Sequence, residues 1–325
     1  MLQDHCQEDF LTKNLKFHTA TCAPHFTPLD SRTIVAYQYT VMIIEQAVPL
    51  TKVWQDVTNT LAGMDDPRRE ARWLLQALFS LSFHDFIAST STLTPTQHTW
   101  ALTMARRRKA GEPLARIVGH STFWGESFQI TPDVLEPRAD SETILITLQK
   151  LIHHLPFSPR ILDFGTGSGC LLISTLREIS NSHGFGVDKN IAALRVAAAN
   201  ARNLNVAARA QWIASDWDKA LTGSFDLIIS NPPYIRREVL PTLEKTVLEY
   251  DPPLALDGGE DGLDAYRQLI PAATRLLQYG GIALFEIGFD QGEDVQKLVQ
   301  SPLRCRDVIK DIAGRDRLVF LEKPA

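Results

Sequence analysis

Paired cysteines are missing from this chain. Cys6, Cys22, Cys170 and Cys305 are scattered through 325 residues with no CxxC spacing. That leaves neither a zinc knuckle nor a disulfide framework to build on, and the thiols are expected to be reduced in a cytoplasm. No apolar run approaches the ~20 residues a membrane-spanning helix requires. Residues 1–40 lack a basic start followed by an apolar core, so neither anchoring nor secretion is expected, and no Arg-rich, acid-poor targeting helix opens the chain. Basic charge is also scarce: 33 Lys and Arg stand against 38 Asp and Glu, a formal net charge of -5. Proteins that coat phosphate backbones carry the opposite excess, so a protein or small-molecule partner fits better. His153-His154 is no metal pair, because adjacent helical residues do not share a face. Internal repeats and low-complexity tracts are missing too.

What is present is enough chain for two domains, at a prior of roughly 150 residues each. Residues 1–41 show no helical or strand period and read as an N-terminal extension without ordered structure, with Met42 an alternative initiator. Residues 42–115 carry helical periodicity: Val53, Val57 and Leu61 share one face, and Asp66-Pro67 and Thr94-Pro95 start further helices. Residues 116–137 switch to short runs with turn signals, Ile117-Val118-Gly119, Phe123-Trp124-Gly125 and Phe128-Gln129-Ile130, which predict a β-hairpin linker. Residues 138–325 form the third region. A helix near 140–154 is followed by strands near 160–164, 184–187, 210–214, 225–229 and 281–286, alternating with helices near 169–179, 190–204, 264–279 and 291–299. Such alternation predicts an α/β fold, a parallel sheet covered by helices on both faces. Two last runs, Cys305 to Ile309 and Arg317 to Leu321, fit a terminal hairpin that adds one reversed strand.

Three strand ends carry candidate binding residues. Gly165, Thr166, Gly167, Ser168 and Gly169 follow the strand Ile161 to Phe164, and such glycines let backbone approach a ligand at the carboxyl edge of an open sheet. The same glycines also serve merely to close a strand–helix joint. Their spacing is not the dinucleotide G-x-G-x-x-G, and no Gly-Lys-Ser/Thr follows to make a phosphate loop. Asp188 ends the second strand, where an acidic side chain accepts ribose hydroxyls; its alternative is a carboxylate favourable to the dipole of the next helix. Asp216-Trp217 ends the third strand and offers a carboxylate and an aromatic face to an adenine, or is a plain turn with a packed ring.

The fourth strand end is the most informative. Asn231-Pro232-Pro233-Tyr234 follows the apolar run Phe225 to Ser230. An amide or exocyclic amine has a delocalised lone pair and becomes nucleophilic only when acceptors grip its N–H groups and turn it. Asn231 offers a side-chain carbonyl and Pro232 a backbone carbonyl. Pro233 has no N–H and a fixed φ that stiffens the turn, and Tyr234 can press its ring on a flat group. This chemistry is methylation of a planar nitrogen.

With these residues, the chain resembles the class I S-adenosylmethionine-dependent methyltransferases. More narrowly, it resembles the protein-(glutamine-N5) methyltransferases that modify peptide chain release factors, the PrmC/HemK family. The likeness covers about residues 43–323. Further matching stretches are Gly111 to Ile117 with Phe123-Trp124-Gly125, Pro137-Arg138 with Glu142, Leu254-Ala255-Leu256 with Gly258-Gly259 and Asp261-Gly262-Leu263, Glu286-Ile287-Gly288 with Gln291-Gly292, and Lys310 to Arg317. Two departures stand out. The chain has Pro137-Arg138-Ala139-Asp140-Ser141-Glu142 where the family commonly has Pro-Arg-Pro-(Glu/Asp)-Thr-Glu, and Asp251 where Glu usually precedes the Pro.

The resemblance implies a Rossmann-like methyltransferase domain with a mostly parallel sheet, preceded by a small helical bundle for substrate recognition and a hairpin linker. Gly165, Thr166, Gly167, Ser168, Gly169, Asp188, Trp217 and Asn231 would bind S-adenosylmethionine. Asn231, Pro232, Pro233 and Tyr234 would hold the glutamine amide, with Asn231, Pro232 and Tyr234 catalytic and no metal required. Class I release factors would be the protein substrate of a cytoplasmic monomer, with no membrane and no direct nucleic-acid substrate. Two other readings remain: a DNA or RNA base methyltransferase, because an adenine amine poses the same lone-pair problem, and an idle binding protein docked on the translation machinery. The basic run Arg106-Arg107-Arg108-Lys109 either meets an acidic protein surface or is a solvated helix end.

Overall fold

The computed structural model describes residues 46–88 and 90–325, so the readings on residues 1–41 and Met42 lie outside the described residues. The first part is helical. A two-residue strand β1 (Val48–Pro49) leads into helix α1 (Leu50–Thr60), which buries Leu50, Val53 and Val57 along one stripe. Helix α2 (Pro67–Phe79) starts where the sequence signals it: the Asp66 carboxylate accepts the Arg69 N–H at 3.0 Å, and Pro67 fills the first helical position. Helix α3 (Phe83–Ala88) and strand β2 (Thr92–Leu93), which pairs with β1, connect to helix α4 (Pro95–Lys109). A capping box opens α4: Thr94 Oγ1 accepts the Gln97 N–H at 3.1 Å, and Gln97 Oε1 accepts the Thr94 N–H at 2.8 Å. Val53, Val57, Leu61, Leu74, Ala101 and Ala105 are fully buried in the core these helices share.

The linker departs from expectation in one place. Ile117 and Val118 belong to a short helix α5 (Leu114–Val118), closed by Gly119 at φ +76°. Pro113 starts this turn and Ile117 buries into the helical core, so burial overrides the β-branched run. The hairpin itself is β3 (His120–Phe123) with β4 (Glu126–Gln129). Its Trp124-Gly125 turn is tied down by the Glu142 carboxylate, which accepts the Trp124 N–H at 2.9 Å.

Helix α6 (Glu142–Leu151) precedes the sheet. Strand β5 (Arg160–Phe164), helix α7 (Cys170–Glu178), strand β6 (His183–Asp188), helix α8 (Ile191–Asn203) and strand β7 (Ala210–Ala214) follow in alternation. Next come strand β8 (Phe225–Ser230), a short helix α9 (Lys245–Tyr250), helix α10 (Asp264–Leu276), strand β9 (Leu277–Glu286), helix α11 (Gly292–Leu298) and the hairpin β10 (Arg304–Lys310) with β11 (Asp316–Glu322). Among the described residues these make a seven-stranded sheet in the order β10-β11-β9-β8-β5-β6-β7, parallel except for β11. This is the Rossmann-like class I methyltransferase architecture.

Pleating explains the apolar runs. Ile161, Leu227, Ile229, Leu284 and Leu318 point into the core under α6 and α7, while their neighbours Leu162, Ile228, Phe285 and Val319 point into the core under α10. A strand buried on both faces therefore reads as continuously apolar, as in β8, where every residue is buried. The expected helix over 264–279 ends earlier, at Leu276, and residues 277–279 open β9 instead. Leu277 is extended and buried, Gly280 follows at φ +81°, and the register against β8 slips there.

The site follows from the strand order. The chain runs outward from β5 through β6 and β7, then returns to β8 on the other side of β5. The crevice outside the carboxyl ends of β5 and β8 is thus the switch point at which open α/β sheets bind ligands. Phe164 and Ser230 are register partners at these ends, and the Ser230 hydroxyl donates to the Phe164 carbonyl at 2.8 Å.

Candidate active site

The glycine turn after β5 is tied to the end of β6. The Thr166 N–H donates to the Val187 carbonyl at 2.9 Å, and the Gly167 N–H to the Asp188 carboxylate at 2.9 Å. The second Asp188 oxygen accepts the Asn190 N–H at 2.8 Å, while Asn190 itself caps α8. Asp188 thus joins the turn to the next helix, and burial raises its pKa against these donors. Asp163 lies underneath, its Oδ2 accepting the Thr166 hydroxyl at 2.6 Å and its Oδ1 buried without a partner. Burial pushes its pKa up to about 7 despite the Thr166 bond, and the nearby Asp188 charge pushes the same way. Gly165 and Gly167 have φ of +66° and +53°, and a Cβ on Gly165 would meet no atom within 4 Å. Gly169 is different, because a Cβ there would press on Ala197 and Ile173 at 3.0 Å, so it lets α7 pack.

A cavity of about 630 Å³ opens over this turn, within the range of small-molecule sites. Of the predicted residues, Gly165, Thr166, Gly167, Ser168, Asp188, Trp217, Asn231 and Pro233 line it, whereas Gly169 does not. Trp217 holds φ +54°, a left-handed conformation that costs a bulky residue about 1–3 kcal/mol, and sets its ring edge-on to Phe164 at 6.4 Å. The neighbouring Asp216 also lines the cavity but pairs with Lys219.

The Asn231 to Tyr234 turn borders a second cavity of about 390 Å³ as well, lined by Asn231, Pro232 and Tyr234. Asn231 stands on the wall of both cavities. Its Nδ2 donates to the buried Ser141 hydroxyl at 2.8 Å, which leaves the side-chain carbonyl as its free acceptor. The Ser141 departure from the family's Thr keeps the hydroxyl that this bond needs. The turn is braced from behind: Gln291 Nε2 donates to the carbonyls of Tyr234 at 3.0 Å and Gly262 at 3.1 Å. Gly258 and Gly262 lie so close that a Cβ on either would reach within 3 Å of Tyr234 backbone atoms. The other departure, Asp251, is buried and accepts from Arg116 at 2.7 Å and from Arg138. Arg116 also donates to the Thr131 and Val134 carbonyls at 2.6 and 2.9 Å.

Sequence reasoning missed two members of this wall. Ser141 lies in a short 3-10 turn before α6, and Glu286 ends β9. Glu286 borders the second cavity, with one carboxylate oxygen 3.4 Å from the Tyr234 hydroxyl and the other buried without a partner. The matching stretch Glu286-Ile287-Gly288 was the signal that could have found it. Burial and the Glu286 charge in turn hold the Tyr234 phenol well above its usual pKa. In the basic run, Arg107 pairs with Glu112 at 2.7 Å and Arg108 with Glu70 at 2.8 Å, while Arg106 and Lys109 are exposed at the helix end. Phe123 packs edge-on to Phe128 in the core, and Trp124 donates to Glu178 at 2.7 Å.

A charged, flat, sugar-bearing ligand fits the larger cavity. Open space over Gly165, the half-buried Asp188 carboxylate as an acceptor and the Trp217 ring as a flat face are what S-adenosylmethionine would need. Known proteins agree with this architecture. Residues 52–119 match the family described as the PrmC N-terminal domain, and residues 139–249 match the methyltransferase small domain. The release factor glutamine methyltransferase of Bradyrhizobium diazoefficiens is 40% identical over 267 residues, covering 81% of this chain and 90% of the relative. That of Agrobacterium fabrum is 38% identical over 81% of this chain and 92% of the relative, and that of Caulobacter vibrioides 38% identical over 85% and 99%. Identity of this extent, running through both the helical part and the sheet that carries Asn231, places the chain in the release factor glutamine methyltransferase family.

Proposed function

We propose that this enzyme methylates the side-chain amide nitrogen of the glutamine in the Gly-Gly-Gln motif of class I peptide chain release factors, giving N5-methylglutamine and S-adenosylhomocysteine. The observation that carries the reading is the position of Asn231, which with Leu135, Arg138 and Ala255 lines both a ligand-sized cavity over the glycine turn and a smaller one beside it.

When bound, S-adenosylmethionine supplies a methyl group made electrophilic by a sulfonium charge. Gly165 to Ser168 would let backbone lie against it, Asp188 would accept from its ribose, and Trp217 would cover its adenine. Asn231, with its Nδ2 committed to Ser141, turns its carbonyl oxygen to one N–H of the glutamine amide, and the Pro232 carbonyl takes the other. Two acceptors fix the nitrogen in line with the methyl group, so positioning supplies most of the rate gain. Pro233 and the Gln291 brace keep the turn from yielding, and Tyr234 packs on the flat amide. The helical part, with Trp73, Phe83 and Ile87 exposed, holds the release factor. The enzyme acts as a monomer in the cytoplasm and without a direct nucleic-acid substrate, the last of these supported by the net charge of -5.

The test incubates the protein with methyl-labelled S-adenosylmethionine, offering unmodified release factor and DNA in parallel, and locates label by peptide mass spectrometry. One methyl on the Gly-Gly-Gln glutamine is expected. Label on DNA alone, or on neither, would overturn the reading.

A further inference from the structure

Methylation of an amide leaves a proton to be placed. The nitrogen forms a bond to the methyl carbon as the carbon–sulfur bond breaks with its electron pair going to sulfur, and the nitrogen must then lose one of its two hydrogens. Asn231 and Pro232 accept hydrogen bonds but are too weakly basic to keep a proton. We propose that Glu286 receives it: once the carbon–nitrogen bond has formed, the N–H that the Pro232 carbonyl held passes its proton to the Glu286 carboxylate, which borders the same second cavity as Pro232 and releases the proton to solvent after the product leaves. The proposal rests on the glutamine-methylation reading.

Geometry singles out this group. Glu286 is 1% exposed, yet it borders the same small cavity as Asn231, Pro232 and Tyr234, and its Oε2 has no hydrogen-bond partner. A buried carboxylate oxygen without a donor is costly and invites one from a ligand. Other candidates are committed. Asp163 serves the glycine turn, Asp140 is exposed and paired with Arg317 at 3.1 Å, and the Tyr234 phenol stays protonated.

The surroundings also suit a reversible proton acceptor. Burial pushes the Glu286 pKa up to about 7, with Asp140 adding to the rise while Ser141, Arg317 and Tyr234 oppose it. Arg317 reaches it from β11 but divides its charge between Asp140 and Asp311. Arg138 borders the same cavity. From α10, the Tyr266 hydroxyl donates to the Glu286 backbone carbonyl at 2.7 Å and holds the strand end in place. An acid with a pKa near the working pH is partly ionised before transfer and gives the proton up easily afterward.

The experiment compares wild type with Glu286→Gln, which keeps shape and removes basicity. Expected are unchanged S-adenosylmethionine affinity by calorimetry, a KM for release factor within about twofold, and a kcat lower by roughly 100-fold, the modest end of what a proton acceptor contributes. Wild-type kcat should rise with pH through an inflection near 7 that is missing in the variant. Isotope-edited infrared spectra should show two carboxyls titrating near pH 7 in wild type, Asp163 and Glu286, and only one in the variant. Wild-type kcat and an unaltered pH profile in the variant would overturn the proposal. If the variant does not fold, Glu286→Asp, which retains a carboxylate, must keep the inflection, and its loss would equally overturn it. A wild-type enzyme that leaves release-factor glutamine unmethylated would instead remove the parent reading.

Discussion

Replacing Gly258 by alanine puts one methyl group where the backbone of the Asn231 to Tyr234 turn already lies. An ideal Cβ there sits 2.7 Å from the Tyr234 carbonyl carbon and 2.8 Å from its Cα, with Gly262 Cα at 3.0 Å on the other side. Ordinary contact begins at 3.4 Å, so the Tyr234 backbone must retreat by about 0.7 Å. No flexible side chain can absorb this, because all three neighbours are backbone atoms. Overpacking of this kind costs about 1–3 kcal/mol of stability, tolerable for a chain this size. The larger effect is on rate, since a displacement near 1 Å at positioning groups costs up to about 100-fold, or about 2.7 kcal/mol of barrier. Release-factor methylation with labelled methyl donor should therefore show kcat lower by one to two orders of magnitude. S-adenosylmethionine affinity should be nearly unchanged, because the glycine turn follows β5 and the atoms nearest the new Cβ belong to Tyr234 and Gly262 instead. A kcat within threefold of wild type in a folded Gly258→Ala variant would refute the idea that backbone packing under the turn sets the rate.

Asn231→Ala should abolish turnover while leaving most cofactor binding, checked by calorimetry beside the methylation assay; retained turnover would deny Asn231 its role. Asp163 has a folded pKa of about 7 against 3.8 unfolded. Its neutral form therefore favours the fold, a contribution present below pH 4 and lost as pH rises through 7. Asp163→Asn should remove up to about 4 kcal/mol of that pH-dependent loss in denaturation curves taken between pH 4 and 8. Arg116→Met should cost about 3–5 kcal/mol in chemical denaturation, because it leaves the buried Asp251 with Arg138 alone and strips two part-buried carbonyls of their donor. An unchanged unfolding midpoint would show that solvent satisfies those groups.

Much of the architecture was legible because the signals are local. Asp66-Pro67 and Thr94-Pro95 with Gln97 are helix starts that need no tertiary partner, and β8 announces itself as an apolar run because both its faces are covered. Ile117 was misread for the opposite reason: its run favours a strand, and only burial against the helical core makes it helix. The helix-to-strand change at Leu277 is equally tertiary, since a leucine is buried on either side of it. At the site, the glycine turn and the Asn231 to Tyr234 turn each carry their chemistry in contiguous residues. Ser141 and Glu286 do not. They come from residues 90 positions before Asn231 and 52 after Tyr234, and only the return of the chain across β5 brings them to one wall.

That return also orders the events of folding. While the chain is being synthesised, β5, β6 and β7 can pair as soon as residue 214 is available, but the other edge of β5 stays bare until β8 arrives at residue 225. Until then β5, with apolar Ile161, Leu162 and Phe164, presents unpaired amides and carbonyls to any extended segment nearby. Closure of that edge and completion of the crevice are the same step, because Ser230 seats on Phe164 as Asn231 enters the wall. A nascent chain lacking β8 is therefore at once the most aggregation-prone form and one without any chamber for the reaction, so a ligand bound across β5 and β8 would mark productive folding as well as readiness to act.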